Sequence, residues 1–188
     1  MNLTVKTLLF STLLSTSSLL HAASSCLKGD MEKSSFYATA YKTAKKAGVK
    51  LKIVGDLKAS TKEKSKTPKD LLLNTTVKVS PKSDSGNPGR DAKIDKNFLN
   101  FKAPIEGSFK NVTDNSAEFH LTIDGTKSFI LMSYEVKDNT LLLKGEMNLL
   151  AFGLHQNLMS LNKVCLALHE GVTWPVADLE FIIALSDC

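Results

Sequence analysis

Apolar and polar residues alternate along most of this chain in short runs bounded by turn residues. That period of two is the mark of strands with one dry and one wet face. In the second half Ile105, Gly107 and Phe109 oppose Glu106, Ser108 and Lys110. Phe119, Leu121 and Ile123 then oppose Glu118, His120 and Thr122. Asp124-Gly125 is a hairpin signal, and Ile130, Met132, Tyr134 and Val136 form the next inward set. Asp138-Asn139 turns again into Leu141, Leu143, Gly145, Met147 and Leu149. A last strand sets Leu179, Phe181, Ile183 and Leu185 against Asp178 and Glu180. In the first half the same reading places strands at Ser35–Thr43, Val49–Ile53 and Leu71–Val79, with Phe36, Ala38 and Ala40 on one side of the first. Eight strands result. An antiparallel sheet of that size can close into a barrel whose interior is filled by side chains or holds one ligand.

Two stretches depart from the alternation. From Phe152 to Gly171, Leu154, Leu158, Leu161, Cys165 and Leu168 recur at spacings of four and three, the stripe of an amphipathic helix. Gly171 and Pro175 supply its stop. One helix between strands cannot bury its stripe alone, so it is expected as a lid or plug on the barrel; the alternative places it outside a β-sandwich. Arg90–Leu99 reads as a loop entering a short helical turn, with Ile94 and Phe98 on one face.

The length of 188 residues fits one domain, but its first 25 residues read as a leader. Lys6, an apolar stretch from Leu8 to Leu20 and the small residues Ala22 to Ser25 have the layout of a signal peptide. That leaves an exported, periplasmic domain over residues 26–188. Ala23-Ser24-Ser25-Cys26 also has the outline of a lipoprotein box, so two outcomes stand. Cleavage near Ala22 or Ala23 leaves Cys26 as a side chain, whereas lipidation would tether the protein to a membrane. In an oxidising compartment three cysteines suggest one disulfide and one thiol. Cys26 and Cys188 would meet if the first and last strands are antiparallel neighbours, stapling the barrel seam. If Cys26 carries lipid, Cys188 pairs with Cys165 or stays free.

The net charge of +5 is unevenly spread: Lys28–Lys102 holds 18 basic against 8 acidic residues, and residues 103–188 hold 5 against 11. Lysines concentrate between Lys58 and Lys69, read as a solvated loop, with an anionic partner or membrane surface as the minority reading. No aromatics interleave with these lysines, and nucleic-acid binding finds no support.

Signs of catalysis are sparse. His155 and His169 stand 14 residues apart, about 21 Å along a helix, too far to share a metal. His120 sits on a polar strand face, and no Gly-x-Ser-x-Gly elbow is present. Asp91 and Asp95 fit a cap and a surface charge better than an acid/base pair. Arg90, the sole arginine, is expected to pair with an acid and hold its loop, or else to orient a ligand's polar head. Trp174 before Pro175 reads as a packing anchor. The chain is therefore expected to be no enzyme, with no cofactor and no metal, and to be a monomer or dimer.

Gly86-Asn87-Pro88-Gly89-Arg90-Asp91 through Phe98-Leu99 resembles the GN-x-x-RD…F segment of the YceI-like proteins. Phe152-Gly153, Leu161-Asn162-Lys163, Leu168-His169-Glu170-Gly171 and Thr173-Trp174-Pro175 are similar to the end of one branch of that family. Ala40-Tyr41-Lys42-Thr43 with Gly48-Val49 is similar to its first hairpin. Two positions depart: Ala38 replaces an aromatic, and Leu51-Lys52-Ile53 replaces Gly-x-Phe. The resemblance implies an eight-stranded lipocalin-like barrel binding an amphiphilic lipid, isoprenoid or fatty-acid-like. It thereby implies a ligand role for the inward residues Phe119, Leu121, Ile123, Ile130, Met132, Tyr134, Leu141, Leu143, Met147 and Phe181. The alternative is a surface or tethered lipoprotein with a filled barrel that acts through protein partners.

Overall fold

The computed structural model describes residues 26–43, 48–61, 65–166 and 173–187. The expected leader over residues 1–25, and with it His21, lies outside them, as do Cys188, Leu168 and His169. Eight strands, β1 (Leu27–Tyr41), β2 (Gly48–Thr61), β3 (Thr75–Asp84), β4 (Ile105–Lys110), β5 (Ser116–Ile123), β6 (Thr126–Lys137), β7 (Thr140–Asn148) and β8 (Val176–Asp187), form a closed antiparallel barrel in chain order. Helix α1 (Pro68–Asn74) precedes β3, α2 (Pro88–Asn97) follows it, and α3 (His155–Val164) lies between β7 and β8. The alternation behaves as expected. On β5 the residues Ala117, Phe119, Leu121 and Ile123 are buried and their neighbours are not. Ile123, Ile130, Met132, Leu141 and Leu143 are at most 2% exposed and form the densest core. Of the inward sets in the second half, Val136 alone fails, standing exposed near the end of β6. Both expected hairpins turn through paired positive φ angles, Asp124 (46°) with Gly125 (86°) and Asp138 (49°) with Asn139 (58°), which match the twist of the flanking strands.

Three readings of the sequence are corrected. The strand expected from Leu71 begins only at Thr75. Thr67 and Asp70 form a reciprocal capping box with Pro68 in the first turn, so Leu71 and Leu72 are buried together on a helix while Leu73 is exposed. The lysine-rich stretch is not one loop: Lys58 to Thr61 continue β2, and Ser65 bridges back to Leu27. The long helix is shorter and later than its stripe suggested. A 3-10 turn at Leu149–Phe152 ends on Gly153 in the left-handed region (φ 71°), and α3 starts at His155. Phe152 is anchored in the core by that turn rather than by a helix.

Helix α2 is fastened by its acids. The Asp95 carboxylate accepts from both the backbone N–H and the hydroxyl of Ser83 (2.9 Å each), and Asp91 accepts from the Ser85 backbone N–H at 3.1 Å. Burial opposes ionisation of Asp91, but hydrogen bonds from Ser85, Ser83 and the Asn87 backbone outweigh it and hold its carboxyl below the usual 3.8. A depressed folded-state pKa contributes stability that is present above the unfolded value and lost as pH falls through the folded one. Asp91→Asn is therefore expected to destabilise the protein above about pH 4 and to flatten the acid loss below it. Urea titrations at pH 3, 4, 5 and 7 test this, and parallel curves for the two proteins would refute it.

The seam between β1 and β8 is long, running from Leu27↔Asp187 to Ala40↔Ala177 with one irregularity between Asp30 and Ser35. There the Ser34 hydroxyl donates to the Asp30 carbonyl (2.6 Å) and accepts from the Ala184 N–H (3.1 Å), repairing the broken ladder.

Candidate functional site

The inward faces of the strands do not fill the barrel. They enclose a cavity of about 460 Å³, within the range usual for sites that take small apolar ligands. Its wall is almost wholly apolar, and Lys52 is the one charged residue among the described lining. Four phenylalanines run in a chain along the wall. Phe109 stacks on Phe119 at 4.6 Å between centroids, Phe119 meets Phe181 edge-on at 5.5 Å, and Phe181 meets Phe36 at 5.4 Å. Such contacts hold rings in fixed orientations and add to what burial contributes. Gly107 leaves room for them: a Cβ there would lie 2.8 Å from the ends of the Leu121 and Phe119 side chains, which would have to shift.

The ten inward residues singled out from the sequence divide. Phe119, Leu121, Ile123, Met147 and Phe181 line the cavity; Ile130, Met132, Tyr134, Leu141 and Leu143 do not. The second group lies in the packed core, where Met132, Leu141 and Leu143 are wholly inaccessible. The Tyr134 hydroxyl donates to the Thr113 carbonyl at 2.6 Å and is spent on that loop. Burial pushes its phenol above the ordinary value, with Asp114 adding to the effect. Alternation shows which way a side chain points, but not whether the space ahead of it is occupied. That is why the two groups looked alike. Several lining residues come from segments that alternation did not mark: Phe98, Leu99 and Phe101 after α2, Leu154 before α3, and Pro81 on β3.

The cavity opens sideways between β1 and β2. These strands pair only from Tyr37↔Lys52 to Tyr41↔Gly48; beyond Lys52, β2 follows β3, and before Tyr37, β1 follows β8. Met31, Ser34, Val54 and Gly55 flank the resulting slit and belong to the cavity lining, and the Leu27↔Ser65 bridge closes its far end. Gly55 bends the edge of β2 with φ 118°, and a Cβ there would meet the Ser80 carbonyl oxygen at 2.3 Å. Only glycine fits there, although the register with β3 runs on unbroken through Gly55↔Pro81.

Helices α2 and α3 lie over the end of the barrel where β1 ends and β2 begins. Asn157 on α3 donates from its side-chain amide to the Phe98 carbonyl at 2.9 Å, joining the two. The stripe of α3 divides as well: Leu154 and Leu158 are buried, while Leu161 and Cys165 border a second chamber of about 370 Å³ against Ala40, Val49 and Leu51. Cys165 carries a free thiol. Arg90 is on the rim of this chamber, and the acid pair expected for it does not form among the described residues, because Asp91 and Asp95 turn to β3 instead. Ala38 and Leu51, both departures from the family pattern, are register partners at the boundary between the two spaces. On the outer surface the Tyr41 hydroxyl donates to Asp178, which raises the tyrosine pKa. The Trp174 backbone N–H donates to the Tyr41 carbonyl at 3.2 Å, tying the approach to β8 onto the end of β1.

His120 stacks on Phe129 and hydrogen-bonds Glu118 at 2.8 Å on the outer wall, away from the cavity. This bond, with one from Asn111, holds the Glu118 carboxyl below its ordinary range. No described helix is long and apolar enough to cross a membrane.

No family model and no curated protein sequence matches the chain. Solved structures do. A polyisoprenoid-binding domain from Saccharophagus degradans, implicated in plant cell wall breakdown, aligns with a TM-score of 0.61 at 8% identity over 87% of this chain and 99% of its own. BcnA of Burkholderia cenocepacia aligns with a TM-score of 0.54 at 12% identity over 84% and 99%. At such identities the likeness speaks to the fold, and the fold is the closed lipocalin-like barrel of the YceI-like proteins.

Proposed function

We propose that this protein binds an amphiphilic lipid, isoprenoid or fatty-acid-like, with the chain of the lipid inside the barrel, and that it sequesters or carries the lipid without altering it. The observation that carries this reading is the apolar cavity of about 460 Å³ where a filled barrel would have side chains. The polyisoprenoid-binding activity of the Saccharophagus domain supports it. Each buried CH₂ adds about 0.8 kcal/mol, so a chain of a dozen carbons binds tightly without a polar contact. Five of the inward residues, Phe119, Leu121, Ile123, Met147 and Phe181, would contact the chain, and Met147 can adjust to its bends. The side slit would let a long chain slide in laterally. Export by residues 1–25 and a domain over 26–188 belong to the same proposal. A carrier of this kind would work in the periplasm.

Native and then denaturing mass spectra of the protein made with its own leader test this reading. A native adduct that disappears on denaturation supports it and gives the ligand's mass. The intact mass fixes the cleavage site and shows whether Cys26 carries lipid. Ala38→Trp, which places a ring in the cavity, is expected to weaken uptake of a C16 lipid by at least about tenfold, the effect of losing roughly two buried CH₂ groups. Binding unchanged in that variant, or no lipid bound at all, would rule out the barrel interior as the site.

A further inference from the structure

The second chamber has the makings of a head-group site. Its floor is apolar, formed by Ala40, Val49, Leu51, Ile94 and Leu161, and its rim carries Lys42, Arg90 and Lys93. No carboxylate lines it among the described residues, and none of these three cations forms an ion pair with a described acid. The sequence of α2 produces this separation. Arg90, Lys93 and Ile94 share one helical face at spacings of three and four, whereas Asp91 and Asp95 share another and are bound to β3. Asn87 and Gly89, at the N-terminal end of α2, also border the chamber, so the helix dipole adds to the positive potential there.

The chamber adjoins the lipid cavity on the same inner face of β1. Ala38 faces the cavity, and Ala40, two residues on, faces the chamber, a separation of about 7 Å along a strand. On β2 the same division falls between Ile53 and Leu51. We infer that the lipid bound in the barrel has an oxyanion head, carboxylate or phosphate, and that Arg90, Lys93 and Lys42 receive it in this chamber. This rests on the carrier reading and narrows its ligand class. Charge-assisted hydrogen bonds to an oxyanion in a partly desolvated pocket are among the stronger polar contacts a protein makes, whereas a neutral hydroxyl gains far less from three cations.

The test compares hexadecanoic acid, hexadecyl phosphate and hexadecanol, each below its aggregation limit, on the full mature chain. Dissociation constants are read together with the alkylation rate of Cys165, which lines the chamber and carries a free thiol. At least one oxyanion probe is expected to bind about tenfold or more tightly than the alcohol and to slow alkylation of Cys165. In Arg90→Ala/Lys93→Ala the ratio of oxyanion to alcohol affinity should fall toward one. Arg90→Lys, which keeps the charge, should retain most of it. Far-UV circular dichroism and melting confirm that the variants fold, both positions being exposed on α2. The ranking of acid against phosphate identifies the head. Alcohol binding as tight as the oxyanions, or an undiminished ratio in the double variant, overturns the inference while leaving the carrier reading intact. Failure of all three probes to bind overturns both.

Discussion

Phe119→Ala is expected to lower the stability of the barrel by about 3–4 kcal/mol, the range for removing a buried phenylalanine, and to change what the cavity accepts. Phe119 is 4% exposed and is the middle ring of the aromatic chain, touching both Phe109 and Phe181. Its truncation removes the burial of one ring and the orientation of two others. For a domain of this size the melting temperature should drop by about 10 °C. Leu143→Ala is the control. Leu143 is wholly buried but lies outside the cavity lining, so it should cost about 2–5 kcal/mol without changing the chain lengths bound. Phe119→Ala should instead shift binding toward bulkier chains. If both variants lose stability and neither alters chain preference, the aromatic wall is structural only.

Cys26→Ser is expected to cost about 3–5 kcal/mol under oxidising conditions. The β1–β8 register sets Leu27 opposite Asp187, the chain neighbours of Cys26 and of Cys188, which lies outside the described residues. We propose that these two cysteines are bridged, which would close a loop spanning nearly the whole domain and remove much of the freedom of the unfolded chain. The slit side of β1 would feel the loss most, because there β1 has only β8 as a neighbour. Cys188→Ser and added reductant should reproduce the effect, and Cys165→Ser should not. A Cys165→Ser protein that melts like Cys26→Ser would reassign the pairing. A Cys26→Ser protein as stable as the unaltered one would show that no bridge operates.

Much of this fold is legible in the residue order. The hairpins at Asp124-Gly125 and Asp138-Asn139 are written in residues that tolerate positive φ, and the inward faces of β4 to β8 are written in apolar residues recurring every second position, most cleanly on β5. These signals are local, and barrel strands joined by short turns pair with their neighbours in sequence. Reading failed where local signals competed. Leu71 and Leu73 alternate like a strand, yet Thr67, Pro68 and Asp70 start a helix there. At Phe152 the helical stripe was correct for Leu154 and Leu158, but Gly153 leaves the helical region and splits the segment.

The sequence by itself determined that eight strands would turn an apolar face inward, because side-chain direction follows from a period of two residues. Only the tertiary structure decided where that interior is empty. Leu121 and Leu143 read alike along their strands, but one borders the cavity and the other is enclosed by its neighbours. The difference lies in how far apart the opposing walls stand. It depends on where β1 leaves β2, on the close approach of Gly55 to the Ser80 carbonyl, and on how α2 and α3 sit over the end of the barrel. None of these distances is carried by any one stretch of chain. They arise from packing between segments remote in sequence, and so they appear only once the barrel has closed.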